Sequence, residues 1–150
     1  MYLSIDSKDL DESGYGLGAL TQCPAGSRAV MAGFSQGTHC YLAVSVPCYP
    51  TLVWIYSIER LALVAVLHQL SPVRSTAWFR DSLIPSLAIL TSSGSSSNPS
   101  MVYVWQEEGA LCLPQPTVNE PRRVAPLRSE SLLIAGTDSL CIAVPDWASF

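Results

Sequence analysis

Gly33-Phe34-Ser35-Gln36-Gly37 spells G-x-S-x-G, the spacing of a nucleophile elbow. In that device a strand delivers a serine to a sharp turn and a helix carries the chain away, leaving the hydroxyl exposed for attack on an ester or thioester carbonyl. The chemistry needs more than the serine. A histidine must take its proton, a carboxylate must orient that histidine, and backbone N–H groups must hold the oxyanion. The histidines are His39 and His68, and Glu59 is the one carboxylate between Ser35 and His68.

Those partners fit the chemistry poorly. The 34 residues from Ser35 to His68, counted inclusively, are too few for the strands and helices that separate such a triad. No His-Gly-Gly oxyanion loop precedes the serine, and "QGTHCYLAVSVPCYP" offers β-formers rather than a helix. A hairpin turn reads better, with Gly37 supplying a positive φ. An esterase- or thioesterase-like serine hydrolase fragment using Ser35 stands as the alternative.

No other catalytic or ligand set emerges. The five cysteines, at 23, 40, 48, 112 and 141, form no C-x-x-C pair, so reduced thiols are expected rather than a disulfide framework or zinc site. His39 beside Cys40 lacks further ligands. No metal and no cofactor is expected, and the chain reads as non-enzymatic. A formal net charge of −4 without Lys/Arg runs argues against nucleic acid or anionic lipid as partner. The N-terminal "MYLSIDSKDLDESG" is no signal peptide, and the longest apolar run, 61–67, is far short of the ~20 residues of a membrane helix. A cytoplasmic protein is expected.

The elements that would position any site are short. Residues 1–28 are polar and Gly-rich and read as a loop or linker. From there on, apolar runs of mostly five to eight residues, rich in Val, Ile, Tyr and Trp, alternate with Gly, Pro, Ser, Asn and Asp. Eleven prolines at the junctions leave little room for helices. "ERLALVAVLHQL" (59–70) is the one helix candidate, and "TSSGSSSNPS" (91–100) reads as a flexible hairpin loop. The fold class is all-β.

A repeat organises these strands. "TLVWIYSIERLALV" (51–64) overlays "SMVYVWQEEGALCL" (100–113) at an offset of 49, and "SLCIAV" (139–144) is a degenerate third copy. Each follows a short apolar strand: "CYLAVSV", "SLAILT" and "SLLIAG". Periods of about 40–50 residues with four strands each describe propeller blades of the WD40 type. The alternating aromatics Trp54, Tyr56, Tyr103 and Trp105 read as packing between sheets, with a ligand-stacking face as the other reading. Where WD repeats place Trp-Asp, this chain has Tyr56-Ser57 and Trp105-Gln106. Phe34-Ser35-Gln36-Gly37 falls where those repeats turn between their first two strands, and "FRDS" (79–82) is its counterpart one repeat later.

"TLVWIYSIERLALVAVLHQLSPVRSTAW" (51–78) resembles the WD-repeat protein eight family, WD40 proteins of centrosomes and spindle poles. There a V-W-V-W-D-I strand is followed by a leucine-rich strand and L-x-Q-L-S-P-V-R, which Leu67-His68-Gln69-Leu70-Ser71-Pro72-Val73-Arg74 matches. The resemblance runs from about residue 31 to about 145 and is carried mainly by Gln69–Arg74. It implies the C-terminal portion of a non-catalytic scaffold that works with a coiled-coil anchoring partner at microtubule minus ends. The expected domains are the linker (1–28) and a partial propeller (29–150), with approximate blades 29–72, 73–116 and 117–150. About three blades do not close a ring, so the remaining blades are expected outside this chain. A truncated gene product without a function of its own is a further alternative. Gln69, Leu70, Ser71, Pro72, Val73 and Arg74 are the candidate structural or interaction motif, with Pro72 fixing φ and Arg74 offering its donors to a carboxylate or carbonyl.

Overall fold

The structure, a computed structural model, describes residues 30–94 and 98–150. The expected linker (1–28) and the middle of the Ser-rich loop lie outside the described residues. Two compact units meet in sequence between His68 and Gln69.

The first unit is a meander. β1 (Val30–Gln36), β2 (His39–Val46), β3 (Tyr49–Ser57) and β4 (Ala62–His68) pair antiparallel in sequence order. Gln36 pairs with His39 across a two-residue loop, Gly37-Thr38, with Gly37 at φ 60 and Thr38 not in the positive region. A positive φ at the first loop residue alone is the type II′ pattern that suits the right-handed strand twist. The Gly-x-Ser-x-Gly stretch is thus a strand end and a hairpin, followed by a strand. The helix candidate at 59–70 is β4 instead, because its apolar residues pair with β3 from Leu52↔His68 to Ser57↔Ala62. Trp54, Tyr56, Leu52, Val44 and Val46 form this unit's buried cluster, with Leu42, Leu63 and Val66 packed against it.

The second unit holds two sheets. β5 (Val73–Trp78), β6 (Leu87–Thr91), β7 (Val102–Gln106) and β8 (Gly109–Cys112) form a four-stranded meander; β9 (Arg123–Pro126), β10 (Leu132–Ala135) and β11 (Leu140–Ala143) form a three-stranded one. The three repeat copies fall on β3, β7 and β11, each the third strand of its sheet. Ala77, Phe79, Ala88, Leu90, Val102 and Val104 from one sheet and its flank meet Val118, Val124, Leu132 and Ile134 from the other. Alternation along each strand sends these residues to a shared face. The counterpart of the first hairpin is longer: a loop over 79–86 separates β5 from β6, held by Phe79 N–H donating to the Ser86 carbonyl at 2.9 Å. The third sheet has three described strands rather than the four expected, and Pro145, which has no N–H to donate, follows its last strand.

Among the described residues no helix is long and apolar enough to cross a membrane. Cys40, Cys112 and Cys141 are free thiols, whereas Cys48 is disulfide-bonded, a departure from the expectation of reduced cysteines throughout.

One buried polar group makes a prediction. The Tyr56 hydroxyl is buried without a hydrogen-bond partner, and burial pushes its pKa up to about 12. Tyr56→Phe removes a desolvated hydroxyl that the fold does not satisfy, so it should stabilise the chain by about 1 kcal/mol. The raised pKa means that the folded state holds the proton more tightly. Stability is therefore expected to be full below pH 10 and to fall as pH rises toward about 12, and Tyr56→Phe should flatten that decline in urea midpoints measured across the range.

Candidate functional site

The Gln69–Arg74 stretch is the connection into β5. Ser71 is buried at 4% exposure, while Leu70 beside it is 79% exposed, an apolar side chain left in water. The Pro72 carbonyl accepts from the Ser92 N–H at 2.8 Å and the Ser92 hydroxyl at 3.3 Å, which ties the entry of β5 to the exit of β6. Pro72 itself is exposed and Val73 half-buried, as is Gln69.

Arg74 owes its position to a bulge. Val73 pairs with Thr91 and Ser75 with Leu90, so Arg74 is the extra residue on β5. Neighbours on a regular strand face opposite ways. Here both reach the third sheet and its approach: Arg74 Nη1 donates to the Pro121 carbonyl at 3.0 Å, and Ser75 Oγ accepts from the Val124 N–H at 3.1 Å. Arg74→Ala is expected to cost about 1 kcal/mol, the net worth of one hydrogen bond at a part-buried site. Thermal unfolding checks it, and partner capture by the same variant reads any binding role. Unchanged stability and unchanged capture together would remove both roles.

Two clefts flank this connection. One, of about 510 Å³, is lined by Arg74, Ser92, Pro99, Asn119, Glu120 and Pro121 among others. The other, of about 250 Å³, is lined by Leu70, Ser71, Thr91, Pro99, Met101 and Tyr103 among others. The motif and one of the repeat aromatics, Tyr103, therefore meet in a single cleft. The remaining aromatics are core. Trp54 is fully buried with Tyr49 edge-on at 6.1 Å, Tyr56 is 4% exposed, and Trp105 sits edge-on to Trp78 at 6.3 Å. The sequence reading missed the 115–121 side of the larger cleft. Its signal was the proline spacing of "LPQPTVNEP" (113–121), which marks an irregular segment but not its neighbours.

The positions that replace the Trp-Asp aspartate do repeat a structural role. Ser57 Oγ, at the end of β3, accepts from Arg60 Nε at 3.1 Å, and Arg60 also donates to the Tyr41 hydroxyl at 3.4 Å. Gln106 Nε2, at the end of β7, donates to Ser86 Oγ at 2.9 Å. In each of the two four-stranded sheets a polar residue closing the third strand is tied to the start of the second, through Arg60 in the first and directly in the other.

Ser35 is not set up as a nucleophile. It pairs with Cys40, and Gln36 pairs with His39, so Ser35 and His39 point to opposite faces of the sheet. Ser35 Oγ lies 3.4 Å from Cys40 Sγ, whereas His39 is 3.7 Å from Glu59 and stacks on Tyr41. The base-and-carboxylate pair thus exists, but on the face the hydroxyl does not share. Partial desolvation raises the Cys112 thiol pKa, the wrong direction for a thiolate nucleophile. Among the described residues no three His, Cys, Asp or Glu side chains stand together to hold a metal.

No family model matches the chain. Over 115 residues it is 32% identical to the WD repeat-containing protein WRAP73 of Mus musculus; the alignment covers 75% of this chain and 23% of that protein. The chain thus spans about a quarter of the curated relative it matches. The similarity supports a WD-repeat relationship, and the three antiparallel meanders are consistent with blades of an incomplete WD40 propeller.

Proposed function

We propose that the chain is a non-enzymatic interaction scaffold of the cytoplasm, stationed on the cytoskeleton at the centrosome, spindle pole or basal body. There it helps anchor or organise microtubule minus ends together with a coiled-coil partner. The observation that carries the scaffold reading is the similarity to a WD-repeat protein over 115 residues. The spindle-pole assignment rests on the resemblance of residues 67–74 to the leucine-rich stretch of the WD-repeat protein eight family. The exposed Leu70 and the two clefts beside it give that stretch a surface on which a partner can dock.

Expression of the tagged chain in dividing cells tests this. Concentration at spindle poles, with capture of a coiled-coil protein that Leu70→Asp weakens, is the expected result. Diffuse distribution with no captured coiled-coil protein overturns it. A fluorogenic ester assay addresses the hydrolase alternative: the opposed faces of Ser35 and His39 predict background turnover, and turnover lost in Ser35→Ala would sink the scaffold reading.

A second reading, a truncated product without a function of its own, is favoured by one observation. Leu140, Ile142 and Val144 on and beside β11 are each about two-thirds exposed, at 66%, 66% and 67%. Such an apolar stripe along a sheet edge promotes association. Insolubility of the isolated chain supports that reading, and a soluble monodisperse chain removes it.

A further inference from the structure

The second four-stranded sheet has another end. The clefts around Gln69–Arg74 lie where β5 begins, β6 ends and β7 begins. Where β5 ends, β6 begins and β7 turns into β8, the 79–86 loop, the Glu107-Glu108 turn and the Trp147–Ser149 helical turn enclose a separate cleft of about 440 Å³. Its apolar walls are built from Leu83 at 90% exposure, Ile84 at 54% and Phe150 at 36%. Trp147 supports them: it stacks on Phe150 at 5.6 Å and stands edge-on to the buried Phe79 at 5.0 Å.

Two hydrogen-bonding groups in this lining have no partner. Ser82 is 2% exposed, and its hydroxyl is buried without a hydrogen bond; the Trp147 indole N–H is buried and unpartnered as well. Among the described residues three buried side-chain polar atoms are unsatisfied, and two of them belong to residues that line this one cleft. A buried group left without a partner costs about 1–3 kcal/mol, so each gains when an acceptor arrives. Glu108 and Glu130 add negative charge to the lining, and no Lys or Arg lines the cleft.

We propose that this cleft takes a short extended segment of a protein partner carrying a lysine or arginine beside an apolar residue. The apolar side chain covers Leu83, Ile84 and Phe150. The cation answers Glu108 and Glu130, and a backbone carbonyl of the segment accepts from Ser82 and Trp147. A nucleic-acid phosphate would meet two carboxylates. A small apolar molecule would leave both donors and both carboxylates unanswered. A second copy of this chain brings the same net charge of −4. The inference uses the scaffold reading only in taking the occupant to be a protein.

The test is selection of phage-displayed random heptapeptides on the full chain, with the Glu108→Gln/Glu130→Gln variant in parallel. Enrichment of sequences with Lys or Arg next to an apolar residue is expected. The leading peptide, made synthetically and titrated by fluorescence polarisation at low salt, should bind the double variant about tenfold more weakly, the size of two partly exposed ion pairs. It should also move the Trp147 indole N–H resonance, assigned with Trp147→Phe, downfield as that group gains an acceptor. Ser82→Ala, which disturbs no hydrogen bond of the fold, provides a second variant with weakened binding. Absence of enrichment, enrichment without basic residues, or equal affinity for the double variant overturns the proposal. A chain that reaches spindle poles yet enriches no such peptide loses the cleft alone. A chain that enriches them but does not reach the poles loses only the proposed function.

Discussion

Trp54→Ala is expected to lower the stability of the first unit by about 3–5 kcal/mol, the range for emptying an aromatic site in a core. The indole is fully buried at the centre of Val44, Val46, Leu52 and Tyr56, with Tyr49 edge-on at 6.1 Å and an interplanar angle of 87°. Its neighbours are strand residues whose backbones are fixed by cross-strand hydrogen bonds, so the hole cannot close by a small shift. Domains are stable by only about 5–15 kcal/mol, and this loss brings a single meander close to unfolding. Urea denaturation followed by circular dichroism measures it, with Trp54→Phe falling between wild type and the alanine variant. A loss below about 1 kcal/mol would return the aromatic stripe to its other reading, a face that stacks ligands.

Phe79→Ala is expected to do comparable damage in the second unit, about 3–5 kcal/mol. Phe79 is fully buried between the second and third sheets, and it supports Trp147 at 5.0 Å. The substitution therefore acts twice. It opens a cavity between the sheets, and it removes the ring against which the helical turn at Trp147–Ser149 rests. Thermal unfolding reads the first effect. Broadening of the Trp147 indole resonance, in conditions where the chain remains folded, reads the second. A stable variant with an unchanged indole signal would show that the sheets hold together without this ring.

What the sequence revealed divides along physical lines. Strands were legible because alternation and Pro/Gly punctuation are local: β3, β7 and β11 were already visible as copies of one pattern. The Gly37 turn was legible for the same reason, since a two-residue hairpin is written in two residues. The helix candidate at 59–70 failed because an apolar run has no decisive period; pairing with β3 settles it. The unequal loops after Phe34 and Phe79 were invisible, because "FSQG" and "FRDS" look alike until Ser86 is seen to pair back to Phe79. The Gln69–Arg74 motif could be seen, but not the means by which it acts. A bulge is one residue of register, and only the partner strand shows that Arg74 is the extra one. The cleft at Ser82 and Trp147 joins residues 65 positions apart in sequence, through an aromatic contact that no spacing encodes.

The bulge at Arg74 also sets a clock. Each sheet is a run of consecutive strands, so a nascent chain can finish one before the next has been made. The hydrogen bonds from Arg74 and to Ser75 are different: their partners are 47 and 49 residues later. At about 5–20 residues per second, the ribosome leaves both side chains waiting roughly 2–10 seconds after they are made. From Cys112, where its last strand ends, until Leu132 and Ile134 are made about 1–4 seconds later, the second sheet exists without the face that covers Ala88, Leu90, Val102 and Val104. A pause in translation between codons 112 and 134 would lengthen that exposure. Synonymous changes there, which leave every residue of the protein as it is, are therefore placed to alter how much of it reaches the folded state.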